Sequence, residues 1–333
     1  MGSDFGSSRG FDSSRDFDSS RPDPDAPAVA VVIVTYNSAD VLGDCLRSLA
    51  GSQGIDLSAV VVADNASRDS SVATAEAATD LPIQTVQLGR NAGYAAAINA
   101  GVAVLETGKL RAVFAMNPDC RVRPDTLRRL TDALRQPGRG IAVPLMVNPD
   151  GSLQPSLRRM PTVTRAVAEA ILGGNLAGRV GSLGELVTDP RKYEKAGPAA
   201  WATGAAILMS VEAMTELGPW DESFLLYSEE TEYAMRAADR GWTLWYEPSA
   251  VIEHIGGESN TNPMLSALLV TNKVDLFRRR HSRPRSWAYF LAVFSGEAAR
   301  AVAGRRTAKA TVMALVRRSR RTAIRRSITG ETP

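Results

Sequence analysis

Short apolar runs alternate with stretches of helical spacing through the first part of the chain. Val29–Val34 is largely β-branched and stops at Thr35-Tyr36-Asn37-Ser38. Ala39, Leu42, Cys45, Leu46 and Leu49 then recur at helical intervals, with Ser38 as the expected N-cap. Val60–Ala63 stops at Asp64-Asn65 and is followed by a helix over Val72–Ala78. Ile83–Leu88 stops at Gly89-Arg90-Asn91-Ala92-Gly93, before an Ala-rich helix from Tyr94 to Leu105. Ala112–Met116 stops at Asn117-Pro118-Asp119, before a helix over Pro124–Leu134 with Pro124 at its first position. Strand and helix in strict alternation with short links predict a parallel α/β sheet with right-handed crossovers.

Every one of these strands ends in polar residues, so all the polar ends fall on one sheet edge. In open parallel sheets that edge binds ligands. Asp119 emerges there because Pro118 cannot continue the ladder. By itself the stretch reads first as a turn with an exposed carboxylate, and second as a candidate metal ligand. Neither a Gly-x-Gly-x-x-Gly turn nor a Gly-Lys-Ser/Thr loop is present, so a nucleotide here is bound by side chains.

Beyond Pro144 the pattern becomes mixed. Asp150-Gly151 signals a tight turn between Leu145–Val147 and Leu153–Leu157. Residues 173–200 carry no clear period and read as a mobile loop. Ala205–Met209 reads as a strand, and Val211–Leu217 as a helix closed by Gly218-Pro219. Phe224 to Arg240 runs into a second helix, and two short strands follow at Trp242–Tyr246 and Ala250–His254.

Composition adds two facts. Cys45 and Cys120, the only cysteines, offer neither a disulfide framework nor a cysteine metal cluster, which fits a reducing compartment. The net charge of +3 conceals an asymmetry: residues 278–326 hold fifteen Lys/Arg and one acidic residue, against 24 basic and 35 acidic elsewhere. A basic tail on an acidic body points to an anionic partner. Residues 1–27 repeat Asp-Phe-(Gly/Asp)-Ser-Ser-Arg with variations and read as a disordered leader. No apolar h-region and no run of about 20 apolar residues is present, so neither a signal peptide nor a membrane span is expected.

Five ordered blocks carry a resemblance: Val32-Ile-Val-Thr-Tyr-Asn37, Val62-Ala-Asp-Asn-Ala-Ser67, Gly89-Arg-Asn-Ala-Gly-Tyr94, Asn117-Pro-Asp119, and Tyr227-Ser-Glu-Glu-Thr-Glu-Tyr-Ala-Met-Arg236 ending at Arg240-Gly-Trp242. Over Val29 to Lys273 the chain resembles inverting family 2 glycosyltransferases of the GT-A (nucleotide-diphospho-sugar transferase) fold. Within that family it is similar to bacterial rhamnosyltransferases. Asn148-Pro-Asp-Gly-Ser-Leu-Gln-Pro-Ser156 with Arg159-Met-Pro161 further resembles actinobacterial enzymes of cell-wall linker assembly. The implied fold class is α/β, a mostly parallel sheet flanked by helices with a C-terminal helical extension. The implied organisation is a leader at 1–27, a GT-A domain at 28–260 and a basic helical extension at 261–333.

Inverting transfer needs a general base for the acceptor hydroxyl and positive charge on the departing diphosphate. The resemblance puts Asp119 at the last position of the family's Asp-x-Asp metal motif, with Asn117 in place of the first Asp. It brings His254 to the same cation, Mg²⁺ or Mn²⁺, with a structural role as the alternative reading of a lone histidine. The family's Glu-Asp pair reads Glu229-Glu230 here. The spacing to Arg240-Gly-Trp242 aligns Glu230 with the base, and its extra methylene over Asp keeps Glu229 as second candidate. A helix N-terminus that favours acidic residues explains both glutamates without catalysis. Thr35, Tyr36, Asn37 and Asp64 fall where the family contacts a pyrimidine nucleoside. Arg90, Asn91, Gly93 and Asn117 fall on the nucleotide or diphosphate, Arg90 being equally readable as a surface residue. Trp201, Thr203 and Gly204 fall on the acceptor side, with core packing as the alternative for Trp201.

The expected reaction is transfer of rhamnose from thymidine-diphosphate rhamnose to a polyprenyl-linked or other saccharide in cell-wall or surface-polysaccharide synthesis. A family 2 transferase using a uridine-diphosphate hexose and a non-catalytic glycan-binding homologue are the competing readings. Pro263–Arg280 reads as a helix capped by Thr261 or Asn262. Apolar residues and Arg clusters alternate over Ala301–Arg326, which predicts a basic amphipathic layer on an anionic membrane surface. A solvated helical extension is the alternative, and no nucleic-acid partner is expected. The expected location is cytoplasmic, peripheral on the inner face of the plasma membrane.

Overall fold

The first strand, β1 (Ala28–Thr35), is buried on both faces, and its side chains feed two cores. Val29, Val31 and Ile33 pack with Leu42, Cys45, Leu46 and Leu49 of α1 (Ala39–Ala50). Val32 and Val34 point the other way. This is the period-2 signature of a strand inside a sheet covered on both sides. The computed structural model describes residues 26–256 and 262–330. The leader expected at 1–27 and the possible cap Thr261 fall almost wholly or wholly outside the described residues.

The chain continues through β2 (Asp56–Asp64), α2 (Ser71–Glu76), β3 (Ile83–Gln87), α3 (Tyr94–Ala103), β4 (Ala112–Met116), β5 (Cys120–Val122) and α4 (Thr126–Ala133). Then come β6 (Arg139–Val147), β7 (Leu157–Arg158), α5 (Val163–Leu172), α6 (Gly174–Arg179), β8 (Gly197–Ala199), β9 (Trp201–Ala202) and β10 (Ala206–Ser210). The last elements are α7 (Val211–Leu217), α8 (Glu229–Asp239), β11 (Thr243–His254), α9 (Pro263–Arg280), α10 (Arg283–Val302), α11 (Arg306–Val316) and α12 (Arg318–Thr329).

The main sheet runs β3-β2-β1-β4-β10-β6-β11-β5, with β8 on β11. Strands β3, β2, β1 and β4 are parallel, β10 is antiparallel to both β4 and β6, and β11 is parallel to β6. Register explains the site. Thr35 pairs with Asp64, Met116 with Ala206, and His254 with Cys120. The polar ends of β1, β2 and β4, the start of β10 and the end of β11 therefore share one edge.

Several local expectations shift. Pro124 lies before the N-cap Asp125 rather than at the first helical position, because Arg123 N–H bonds to Thr126 Oγ1 and the helix starts there. The two strands expected at 242–254 form one strand with a register shift between Glu247 and Val251. Residues 173–200, read as a mobile loop, contain α6, a 3-10 turn at Pro190–Tyr193 and β8. Tyr193 pins the segment: its hydroxyl accepts from Leu157 N–H and donates to Val187 O.

The C-terminal helices build a third small core. Phe277 stacks on Tyr289 at 3.9 Å between centroids, with Ala166, Val274 and Leu315 around them. Asn262 caps α9 by accepting from Met264 and Leu265 N–H. No helix among the described residues is long and apolar enough to cross a membrane.

Candidate active site

At the shared edge the ends of β1 and β2 form one hydrogen-bonded unit. Asp64, only 1% exposed, accepts from Thr35 Oγ1 at 2.7 Å, Ser67 Oγ at 2.5 Å and Ser67 N–H at 2.8 Å. Asn37 holds the same loop by accepting from Arg68 N–H, and its φ is 50°. Tyr36 is 47% exposed and Arg90 is exposed, whereas Asn91 accepts from Gly93 N–H. Asn65, which the sequence did not single out, is buried and ties the two loops: it accepts from Ala92 N–H and donates to Gly93 O.

Gly93 is required by contact as well as by conformation. Its φ is +93°, and a Cβ there would overlap the backbone carbonyl of Leu225. That carbonyl accepts from Tyr94 N–H at 2.9 Å, so α3 docks directly on the segment before α8. Leu225, Tyr227 and Ser228 all have positive φ, and strain of this kind, of order 1–3 kcal/mol per residue, persists only where surroundings enforce it. The enforcement includes Asn272, whose amide donates to the carbonyls of Phe224, Leu226 and Tyr227.

Asn117 ends β4 with its N–H on Ala205 O. Two residues on, Asp119 Oδ2 accepts from Gly256 N–H at 2.9 Å and lies 3.5 Å from His254 Nε2. Asp119 Oδ1 is buried without a hydrogen-bond partner among the described residues. Gln154 fixes the imidazole. Its Nε2 donates to Asn148 Oδ1 and His254 O, so its Oε1 faces His254 Nδ1 at 2.6 Å as an acceptor. Nδ1 therefore carries the proton, and burial lowers the pKa of His254 below its ordinary value. Nε2 then presents a lone pair to a carboxylate, two acceptors facing each other, which is an arrangement a divalent cation satisfies. Cys120 is close but unsuited as a ligand. It is fully buried, its Sγ points at Ala205 O, and burial pushes the thiol well above its ordinary range.

The two glutamates part company. Glu229 is 3% exposed, and burial pushes its carboxyl well above the glutamate range, with Glu230 adding to the rise. Glu230 is also raised by burial, but backbone N–H groups of α8 and the Arg158 guanidinium hold it back. Glu230 lines a cavity of about 420 Å³ together with Arg158, Trp201 and Thr203. Gly204 makes room for it: a Cβ there would stand 3.3 Å from Glu230 Cβ and 3.6 Å from Tyr94 Cε1. Tyr94 in turn donates to Gly204 O at 2.6 Å. Trp201 is 8% exposed and donates to Arg159 O, so it serves the core and the cavity wall together. Thr203 bonds Ser156 O through its N–H.

Gln154 and Arg158 were not identified as site residues from the sequence. Gln154 lies in the Asn148–Ser156 block that resembles cell-wall transferases, the signal that could have found it, whereas Arg158 falls between that block and Arg159–Pro161.

Residues 30–184 match the family described as Glycosyl transferase family 2. An N-acetylglucosaminyl-diphospho-decaprenol L-rhamnosyltransferase of Mycobacterium tuberculosis is 30% identical over 256 residues, 73% of this chain and 81% of that protein. The low-salt glycan biosynthesis hexosyltransferase Agl10 of Haloferax volcanii is 25% identical over 210 residues, 63% of this chain and 61% of that protein. Among solved structures, a mannosyltransferase of Pyrobaculum calidifontis in complex with GDP-Man and Mn²⁺ superimposes with a TM-score of 0.55 at 19% identity, covering 93% of this chain and 86% of that one. At that identity the likeness speaks for the fold.

Proposed function

The chain belongs to glycosyl transferase family 2, in the GT-A fold its motifs imply, and from that premise we propose a rhamnosyltransferase with a lipid-linked acceptor. Rhamnose leaves a thymidine-diphosphate donor, with inversion, for a saccharide on a polyprenyl diphosphate in cell-wall synthesis. The mycobacterial relative, which this chain covers over 81% of its length, supports the sugar and the acceptor class. The observation that carries the chemistry is the cavity beside Glu230, bounded by Arg158, Trp201 and Thr203.

Glu230 accepts the proton of the acceptor hydroxyl. Its burial raises its basicity, while Arg158 and the α8 N–H groups keep it ionisable. Glu229, the second candidate, is enclosed and does not line the cavity. Asp119 and His254 would hold Mn²⁺ or Mg²⁺, the imidazole favouring Mn²⁺. When bound there, such a cation would supply positive charge to the departing diphosphate. Thr35, Tyr36, Asn37, Asp64, Arg90, Asn91, Gly93 and Asn117 form the donor side, and Trp201, Thr203 and Gly204 the acceptor side.

We further propose peripheral association with an anionic membrane. Arg279, Arg280 and Arg321 are engaged by Asp221, Asp239 and Asp275. Arg283, Arg285, Arg305, Arg306, Lys309 and Arg317 are exposed and remain available to lipid headgroups.

Mass spectrometry of reactions with thymidine-diphosphate rhamnose and an N-acetylglucosaminyl-diphospholipid tests the reading. A product heavier by one deoxyhexose is expected. Turnover only with uridine-diphosphate hexoses, or none with any donor, overturns it.

A further inference from the structure

The lining of the cavity beside Glu230 carries two cations that differ in kind. Lys273 Nζ lies 2.5 Å from Glu185 Oε2 and 3.4 Å from Glu169 Oε2. Burial alone would lower Lys273, but Glu185, Tyr289 and Glu169 hold its ammonium above the ordinary range. That cation is spoken for. Arg158, on the same lining, has no carboxylate within ion-pairing distance among the described residues, although its charge is felt by Glu230. Its Nε is buried with no hydrogen-bond partner there, and its guanidinium carbon sits 5.7 Å from the centroid of Trp201.

Arg158 is also held in place from both sides. Strand β7 pairs Arg158 with Trp201, and an isolated bridge joins it to Leu186. A planar, always-charged fork on clamped backbone, with an unused buried donor, suits a phosphate better than a neutral hydroxyl.

The surface around the cavity supplies a second observation. Gly174 and Asn175 line the cavity and are exposed, so they mark its mouth. Of the fifteen exposed large apolar side chains among the described residues, six lie between Val167 and Leu183, before and after Gly174 and Asn175 in the sequence. Three more, Trp287, Leu291 and Val302, are on α10, which packs along α5. A ligand entering here has apolar surface outside the cavity and both Arg158 and Glu230 on the wall within.

We infer that Arg158 binds the diphosphate of the acceptor lipid, with the prenyl chain leaving over Gly174 and Asn175. A sugar whose hydroxyl reaches Glu230 has its anomeric diphosphate elsewhere along the same lining, where Arg158 is the cation without an ion pair. This rests on the proposed lipid-diphosphate acceptor, and makes Arg158 a specificity-determining residue for it.

The test is isothermal titration, without donor, of N-acetylglucosaminyl-diphospho-undecane and of the undecyl glycoside that lacks the diphosphate. Wild type is expected to prefer the diphosphate. Arg158→Gln should lose about 10- to 100-fold in affinity for it, the scale of charge-assisted hydrogen bonds, while the neutral glycoside is unaffected. Arg158→Lys should recover part of the loss. Stabilisation by thymidine diphosphate with Mn²⁺ reports that the variants are folded. A preference retained in Arg158→Gln, or lost donor-nucleotide binding in a variant with wild-type melting, overturns the inference and leaves the acceptor reading standing. If wild type shows no preference, the acceptor reading fails and the inference with it.

Discussion

His254 turns a bare Nε2 toward Asp119 Oδ2 at 3.5 Å, because Gln154 claims the proton on Nδ1. Two acceptors this close repel unless a cation or proton lies between them. Asp119→Ala should therefore abolish donor turnover while the fold persists, since Asp119 is outside both cores. Gln154→Ala should weaken Mn²⁺ by about 10- to 100-fold, the usual effect of losing an outer-shell partner. Donor hydrolysis titrated with Mn²⁺ measures both; near-normal activity of Asp119→Ala would return it to being a turn residue.

Glu230→Gln should lower kcat by about 100- to 10,000-fold, the range for a lost general base. Glu229→Gln should retain most activity. In wild type the acid limb of kcat/KM should lie above the ordinary glutamate range, because burial raises Glu230 and the base acts only when ionised.

Stability should carry a separate signature of Glu229. Its folded pKa is raised by burial, so the folded state holds the proton more tightly than the unfolded chain. That contribution is complete below the unfolded value and is lost as pH rises through the folded one. The melting temperature of Glu229→Gln relative to wild type should therefore increase with pH across that window. A pH-independent difference would mean that Glu229 is not held protonated.

Gly204→Ala should disturb Glu230 and Tyr94 with modest loss of stability, since the new methyl meets side chains at 3.3 and 3.6 Å. Gly93→Ala meets the backbone of Leu225 at positive φ and should cost more than about 3 kcal/mol. Urea denaturation separates the two, and equal losses would contradict the packing.

The polar strand ends were legible because each closes an apolar run, so Thr35, Asp64, Asn117 and Asp119 fall on one edge once the strands are parallel. The partners of those residues were less legible. Gln154 reaches His254 across 100 positions, and Lys273 reaches Glu169 across 104, pairings that no local period encodes. The segment 173–200 shows no local period because side chains from elsewhere in the chain order it. Arg159 donates to the carbonyls of Gly181, Gly184 and Leu186, replacing a regular ladder.

Vesicles containing acidic lipid should float with the protein at low salt and release it as salt rises, since exposed arginines act through screened charge. Equal binding to neutral vesicles, or none to acidic ones, would refute the membrane proposal.

The central claim, direct displacement with Glu230 as base, is tested by the anomeric configuration of the transferred sugar. NMR of the product should give the configuration opposite to the donor's, with no product from Glu230→Gln. Retained configuration, or an equally active Glu230→Gln, would contradict the account.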